Sequence, residues 1–489
     1  MSAVYVYIAV AIYIVVGFIV AYASRAGLKQ GVIEYFLGGR KIGGVVSALS
    51  YSATTYSAFM MVGLAGYTYT GGVGALGFEF VYLAGLALVA FFGPRFWLVG
   101  KKYDYVSPYE MLADRYNNRW IAVLAAAAAC VFLIPYLSVQ LMGVGYLING
   151  VSGGSIPFFF GVFLAGVVAI AWVLIAGLRS VAWTDSLQSL IMIVVSLAIL
   201  LYIVYNHLGG FLGFFRTLES DYAEYLAVPG PGFFDFKTFL GLTLPWFFFS
   251  ISNPQVSQRL FIPDSLKSMK TMVKGFLIFG FIYTLVSVLW GFSALVLIPG
   301  LENSDMATPT LLGSEYVPTV LGLIAMIGIT AAAVSTVDSI MLTLSSLVVR
   351  DLYDNFSEDG KQMVVARIVI ILIALVGLWF AGLQLDLIAT LSVASSVGLL
   401  VAVPAIFGAF FWKRGTAPGV IVSILAGGVT AVYLQFSGWK PFGHWPGVWT
   451  LLVSTVVFIL VSLLTAPPRE KAEEFLGYLN QELENRSIL

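Results

Sequence analysis

The sequence predicts an all-α integral membrane protein with thirteen transmembrane helices. Three observations carry this prediction: thirteen long apolar stretches, a composition of 60% hydrophobic and only 10% charged residues, and positive charges confined almost entirely to alternate connectors. Mean hydropathy is +0.95, whereas ordinary soluble domains carry about 25% charge. A hydrocarbon core about 30 Å thick needs about 20 apolar residues per helical crossing. Lipid offers the backbone no hydrogen-bond partner, so the crossings are helices. The expected spans are 4–23, 45–69, 74–99, 119–148, 157–178, 181–206, 238–256, 272–298, 317–347, 364–383, 387–411, 417–436 and 447–465.

The first stretch, Tyr5 to Tyr22, is uncharged and begins without a basic region, so it is read as span 1 and not as a cleaved signal. With the N-terminus outside, the inner connectors and tail receive 22 of the 25 Lys and Arg residues. These are Arg25, Lys29, Arg40, Lys41, Arg95, Lys101, Lys102, Arg115, Arg119, Arg179, Arg259, Lys267, Lys270, Lys274, Arg350, Lys361, Arg367, Lys413, Arg414, Arg469, Lys471 and Arg486. Only Arg216, Lys237 and Lys440 remain outside. The positive-inside rule then sets a multi-pass plasma-membrane protein with an external N-terminus and a cytoplasmic C-terminus. The outer connector 299–316 instead carries Glu302, Asp305 and Glu315. The longest extramembrane pieces are the 207–237 loop and the tail 466–489, whose Glu and Lys mixture suits a short surface helix. Neither is large enough for an independent core, so 1–489 is expected to be one transmembrane domain.

Composition also excludes function classes. A net charge of zero leaves no footprint for nucleic acid. No glycine-rich phosphate loop followed by Lys and Ser/Thr occurs, so the chain is expected neither to bind ATP nor to be an enzyme. The one cysteine, Cys130, excludes an internal disulfide and reads as a small packed hydrophobe. His207 and His444 fall at outer span ends, too far apart in sequence for a metal motif. Gly71 to Gly77 reads as a turn between two helices. No obligate protein partner is evident; the expected partners are the bilayer and a small organic solute.

In lipid the costly residues are the informative ones. Three carboxylates lie well inside the spans: Glu79, Asp185 and Asp338. No Lys or Arg occupies the middle third of a span, so each acid is expected to be protonated, to face water or to bind a cation. An interfacial Asp185 that snorkels, or pairs with Arg179 or Trp183, is the bland alternative. The run Ala331-Ala-Ala-Val-Ser-Thr-Val-Asp-Ser339 sets Ser335, Asp338 and Ser339 on one helix face, with Thr336 beside them. Hard cations take oxygen ligands, and hydroxyls with peptide carbonyls supply them for Na⁺. Small hydroxyls also serve plain helix packing. Span 2 carries the polar run Ser50-Tyr-Ser-Ala-Thr-Thr-Tyr-Ser57, and span 7 carries Trp246-Phe-Phe-Phe-Ser-Ile-Ser-Asn-Pro254. Proline breaks a helix interior, and interrupted helices in corresponding positions of two halves point to a transporter binding site. Spans 2–6 (45–206) and 7–11 (238–411) form two halves of five. An odd number per half makes their topologies opposite.

Several stretches then look familiar. Gly177-Leu-Arg-Ser-Val-Ala-Trp-Thr-Asp-Ser-Leu-Gln188, Ala332 to Ser339, Pro404 to Gly419 and Asn253-Pro254 through Gln258-Arg259 to Asp264 resemble, in order, segments of the sodium/solute symporter family. The resemblance implies a leucine-transporter-like 5+5 inverted repeat, with span 1 leading and 417–465 trailing. It implies a sodium site made by the carbonyls of Ala53, Tyr56 and Ala332 and the hydroxyls of Ser335 and Thr336. A second cation or proton site would match Asp185, Ser335, Asp338 and Ser339, where the Asp338 carboxylate departs from a hydroxyl. Solute candidates by the family pattern are Thr55, Ser57, Met60, Glu79, Tyr136, Gln140, Trp246 and Ser250. Proline-transporting members have an acid at Thr55 and a tyrosine at Ser250, which disfavours proline here. Pro135 to Gly143 looks more like the pantothenate and monocarboxylate branches.

The expected function is Na⁺-coupled symport of a small organic solute, such as an amino acid, a monocarboxylate or a pantothenate-like compound, by alternating access. An H⁺-coupled symporter or exchanger is the main alternative, motivated by Asp185 and Asp338. A transporter-like sensor or a passive channel is further away.

Overall fold

The computed structural model describes residues 1–25, 31–357, 360–385 and 388–486. Lys29, counted above among the inner cations, lies outside the described residues. The chain is helical from end to end. In order, the long elements are α1 (Ala3–Ala23), α2 (Gly44–Thr55, continuing through Phe59–Leu64 and Ala65–Gly71) and α3 (Gly74–Leu86 with Val89–Tyr103). Then come α4 (Trp120–Val151), α5 (Phe158–Ala176), α6 (Leu178–His207), α7 (Phe236–Phe247, Phe249–Ser252 and Pro254–Ser257) and α8 (Leu266–Leu297). The last are α9 (Thr319–Leu347), α10 (Gln362–Gly382), α11 (Ile388–Leu399 with Val403–Phe411), α12 (Ala417–Ser437), α13 (Pro446–Leu464) and α14 (Arg469–Asn485).

Among the described residues, eleven helices are long and apolar enough to cross a membrane. The other two expected spans, 45–69 and 238–256, are not continuous helices. They are α2 and α7, broken where serines, threonines and proline replaced the apolar run. In α2 the backbone leaves the helix at Tyr56 (φ −103°, ψ 73°). In α7 it leaves at Asn253 (φ −87°, ψ 111°), and Pro254 starts the next short turn, the position where its missing N–H costs least.

The core sits where α9 meets α2, α4 and α6, with α8 laid along α2. Two glycines make this possible. A Cβ on Gly280 of α8 would collide with the Tyr56 ring, and one on Gly85 of α3 would collide with the Phe247 backbone of α7. Helices α1, α10 and α13 instead turn large apolar side chains outward, among them Ile19, Trp379 and Leu464.

Two connectors are more ordered than their sequence suggested. The 207–237 loop holds a helix, Gly210–Asp221, that buries Phe214 and Leu218. The tail helix α14 is not free on the surface: it buries Phe475, Leu476, Leu479 and Leu483 beside the Tyr103 end of α3. Tyr103 donates to Glu474 at 3.1 Å, and Lys471 pairs with Asp114 at 3.0 Å.

Candidate cation and solute site

The break in α2 is built from specific substitutes for the lost helical ladder. The Ala58 N–H donates to Gln140 Oε1 of α4 at 3.2 Å. The Phe59 N–H turns to Ser57 Oγ at 3.2 Å, and the Met60 N–H to the Ser57 carbonyl at 3.1 Å. These three donors would otherwise serve the carbonyls of Thr54, Thr55 and Tyr56 in a continuous helix. The Thr55 carbonyl instead accepts from Tyr82 Oη at 3.0 Å. The carbonyl of Tyr56 is thereby released from the helical ladder.

Directly opposite, α9 presents its hydroxyls. Thr336 Oγ1 donates to the Ala332 carbonyl at 3.2 Å and reaches across to the Ala53 carbonyl at 3.3 Å. Ser335 Oγ is buried, within reach of the Asp185 carboxylate. Ala53, Ala332 and Thr336 thus meet at one α2–α9 junction with oxygen-only donors, and Tyr56 and Ser335 adjoin it along their helices. That set fits a small hard cation.

One turn further along α9, toward Leu347, lies a second polar cluster, and here the sequence reading needs correcting. Arg259, assigned above to an inner connector, is 5% exposed and enters the bundle. Its guanidinium pairs with Asp185 Oδ2 at 3.2 Å and donates to Ser50 Oγ and Ser339 Oγ. Ser50 Oγ also donates to Asp185 Oδ2 at 2.7 Å. Ser339 Oγ donates to the Ser335 carbonyl at 2.8 Å and lies 3.0 Å from Thr54 Oγ1. Asp185 therefore does have an internal basic partner, and it is not Arg179, which faces Glu34 at 3.9 Å. The cause is the α7 break: after Asn253 the chain continues in short turns that carry residues 254–261 beside α9. Asp338 differs from Asp185. Both of its oxygens are buried without a hydrogen-bond partner among the described residues.

On the other side of the break, rings collect. Trp246 of α7 stacks on Phe59 at 4.8 Å and on Phe249 at 4.9 Å. Tyr82 meets Trp246 edge-on at 4.9 Å, and Tyr136 lies 6.3 Å away. Of the expected solute residues, Tyr136, Gln140, Trp246 and Ser57 border this cluster, and Glu79 shares the helix face of Phe78 and Tyr82. Met60 is buried on α2. Two others are already engaged: Thr55 Oγ1 bonds back to the Tyr51 carbonyl at 2.8 Å, and Ser250 Oγ donates to the Gly85 carbonyl at 3.0 Å. The first bond stays within α2, and the second fastens α7 to α3. The sequence reading missed Phe59, Phe78, Tyr82 and Phe249; the ring spacing Phe78/Tyr82 on the Glu79 face was the available signal.

Comparison with known proteins places this architecture. The sequence pattern described as "Sodium:solute symporter family" matches residues 35–427. The chain belongs to that family. It is a multi-pass membrane transporter of small solutes and not an enzyme. It is 27% identical over 442 residues to the sodium/pantothenate symporter of Escherichia coli (strain K12), covering 87% of this chain and 89% of the relative. It is 25% identical over 468 residues to the high-affinity proline transporter PutP of Bacillus subtilis (strain 168), covering 92% and 96%. Among solved structures, a Na⁺-coupled sialic acid symporter in a substrate-bound outward-open state aligns with a TM-score of 0.81 at 22% identity, over 95% of this chain and 98% of the other. That likeness is one of fold.

Proposed function

We propose that the chain carries a small organic solute inward together with Na⁺ by alternating access, with the ion held between α2 and α9. The observation that carries this is the Thr336 hydroxyl reaching the carbonyls of Ala53 and Ala332 at once, with the buried Ser335 hydroxyl next to it on α9. An ion bound by Ala53, Tyr56, Ala332, Ser335 and Thr336 would lock the α2 break against α9. The Tyr56 carbonyl is one of these ligands, while the Tyr56 ring meets Tyr82 at 6.1 Å. The ion and the solute region therefore share one residue, and ion binding orders the rings that the solute meets. Loss of the ion frees α2 from α9 and opens the inner route. Couplings of about 1–3 kcal/mol between such ligands are usual.

In this reading all thirteen helices α1–α13 cross the bilayer, α2–α6 and α7–α11 are the two inverted halves, and the tail is cytoplasmic. The lysine and arginine asymmetry supports that orientation. The solute class, amino acid, monocarboxylate or pantothenate-like compound, is supported by family membership alone.

The test needs no known solute. The melting temperature of the purified protein is titrated with NaCl against KCl, since a ligand bound only to the native state raises it. Ser335→Ala and Thr336→Ala are each expected to raise the half-maximal Na⁺ concentration at least about tenfold, equivalent to about 1.4 kcal/mol. Unchanged titrations in both variants would remove the assignment.

Asp338 favours a second reading of the neighbouring cluster. Asp185 is already matched by Arg259, which supports proton carriage at Asp338 over a second sodium. Asp338→Asn then leaves the Na⁺ titration in place and abolishes any proton-driven flux.

A further inference from the structure

A cavity of about 440 Å³ opens between α1, α5, α6 and α9, all four long and apolar enough to cross the membrane. Its size falls in the range of small-molecule sites, about 300–1,000 Å³. None of the residues proposed above to hold ion or solute lines it, and no charged residue does. Ile12, Leu190 and Val194 line it and are exposed, so it opens toward lipid. The deep wall is different. Trp172 and Gln188 are 0% and 3% exposed, and both line the cavity. Trp172 Nε1 and Gln188 Oε1 have no hydrogen-bond partner among the described residues. Gln188 Nε2 donates to Tyr13 Oη at 3.3 Å, and the Tyr13 ring meets Trp172 edge-on at 5.3 Å, which gathers the three side chains. Gly17 admits the indole to this wall, since a Cβ there would collide with its ring.

Tyr13 is the middle residue of the 21-residue α1, so each helix end lies about 15 Å away at 1.5 Å per residue. That is half of a hydrocarbon core about 30 Å thick. The unmet pair therefore stands near the bilayer midplane, out of reach of phospholipid headgroups and glycerol esters. An indole N–H only donates and an amide oxygen only accepts. Leaving both unmet at a depth without water is costly. A hydroxyl answers both at once, an ether or ketone answers the indole alone, and a hydrocarbon answers neither. We propose that this cavity binds an uncharged lipid alcohol drawn from the bilayer. Its hydroxyl accepts from Trp172 and donates to Gln188, and its chain lies along Val194 and Ile327. A charged amphiphile would find no counter-ion there. The site goes beyond the symporter reading and does not depend on it.

The experiment photolabels the full chain, in nanodiscs of phosphatidylethanolamine and phosphatidylglycerol, with a diazirine-bearing farnesol. Peptide mass spectrometry reads the labelled residues. Labelling is expected to concentrate around Val194 on α6 and Ile327 on α9, several-fold above the lipid-facing side of α10. Excess farnesol competes it away, whereas farnesyl methyl ether and farnesene do not. Trp172→Phe keeps the ring and removes the N–H; Gln188→Leu removes the acceptor. Each is expected to cut the α6 and α9 labelling several-fold and to leave that of α10 unchanged. The melting temperature of each variant in the same nanodiscs shows that it is folded. Gln188→Leu also loses its bond to Tyr13, so Trp172→Phe carries the test should that variant unfold. The proposal is overturned if the ether or the hydrocarbon competes as well as the alcohol. It is equally overturned if α6 and α9 label no more than α10, or if labelling survives in the folded variants.

Discussion

Arg259 shows how much a single side chain decides at the inner cluster. It sits within hydrogen-bonding distance of groups from three helices: Ser50 on α2, Asp185 on α6 and Ser339 on α9. Removing one partner of a buried pair costs about 3–5 kcal/mol, because the other charge is left uncompensated, whereas replacing both by apolar groups is often neutral. Arg259→Met and Asp185→Leu are therefore each expected to lower the melting temperature markedly, and the double variant to recover most of the loss. Thermal unfolding of the three variants in detergent checks this. Additive losses in the double variant would mean that the two groups do not act as a pair. The cluster thereby ties the short turns after α7 to α2, α6 and α9.

At the scale of elements, the α2 break depends on α4. Gln140 supplies the oxygen that the Ala58 N–H bonds across helices, and leaving a buried donor unmet costs about 1–3 kcal/mol. Gln140→Leu is expected to loosen the break, lower the melting temperature and weaken the sodium response, because the Tyr56 carbonyl is no longer fixed. A sodium titration identical to that of the unmutated protein would show that the break holds without α4. Both breaks were legible in the sequence, since a Ser/Thr run and an Asn-Pro step stand out in an oily chain. The Ser335 and Thr336 hydroxyls were legible for the same reason. Arg259 was not: on a linear map it lies past the end of span 7, and only the α7 break returns residues 254–261 to the interior. The ring cluster was illegible for a different reason. In a helix that is apolar on every side, the residues facing lipid and those facing neighbours are of the same types, so Phe59 and Phe249 resemble outward rings such as Phe163 and Phe281.

At the scale of the whole molecule, the two termini mark opposite ends of the bundle. The Met1 amine donates to the Val151 carbonyl at the end of α4, at 2.9 Å. The tail helix α14 binds Tyr103 and Asp114, near the start of that same helix at Trp120. A helix of 32 residues is about 48 Å long at 1.5 Å per residue, enough to separate the two faces of a bilayer. The face that receives the tail also collects Lys101, Lys102, Arg115 and Arg350, the last paired with Glu110 at 2.5 Å. Lysine and arginine are retained on the cytoplasmic side during insertion, which predicts that this face is the inner one. In a Cys130→Ser background, a cysteine at Glu473 on α14 is expected to resist a membrane-impermeant maleimide added to intact cells and to react once the membrane is opened. A cysteine at Ser437, at the far end of α12, is expected to react in intact cells. Both positions are exposed, so slow chemistry does not explain a difference between them. Labelling of Glu473→Cys from outside, with Ser437→Cys protected, would invert the bundle. The Arg259–Asp185 cluster would then lie at its outer end.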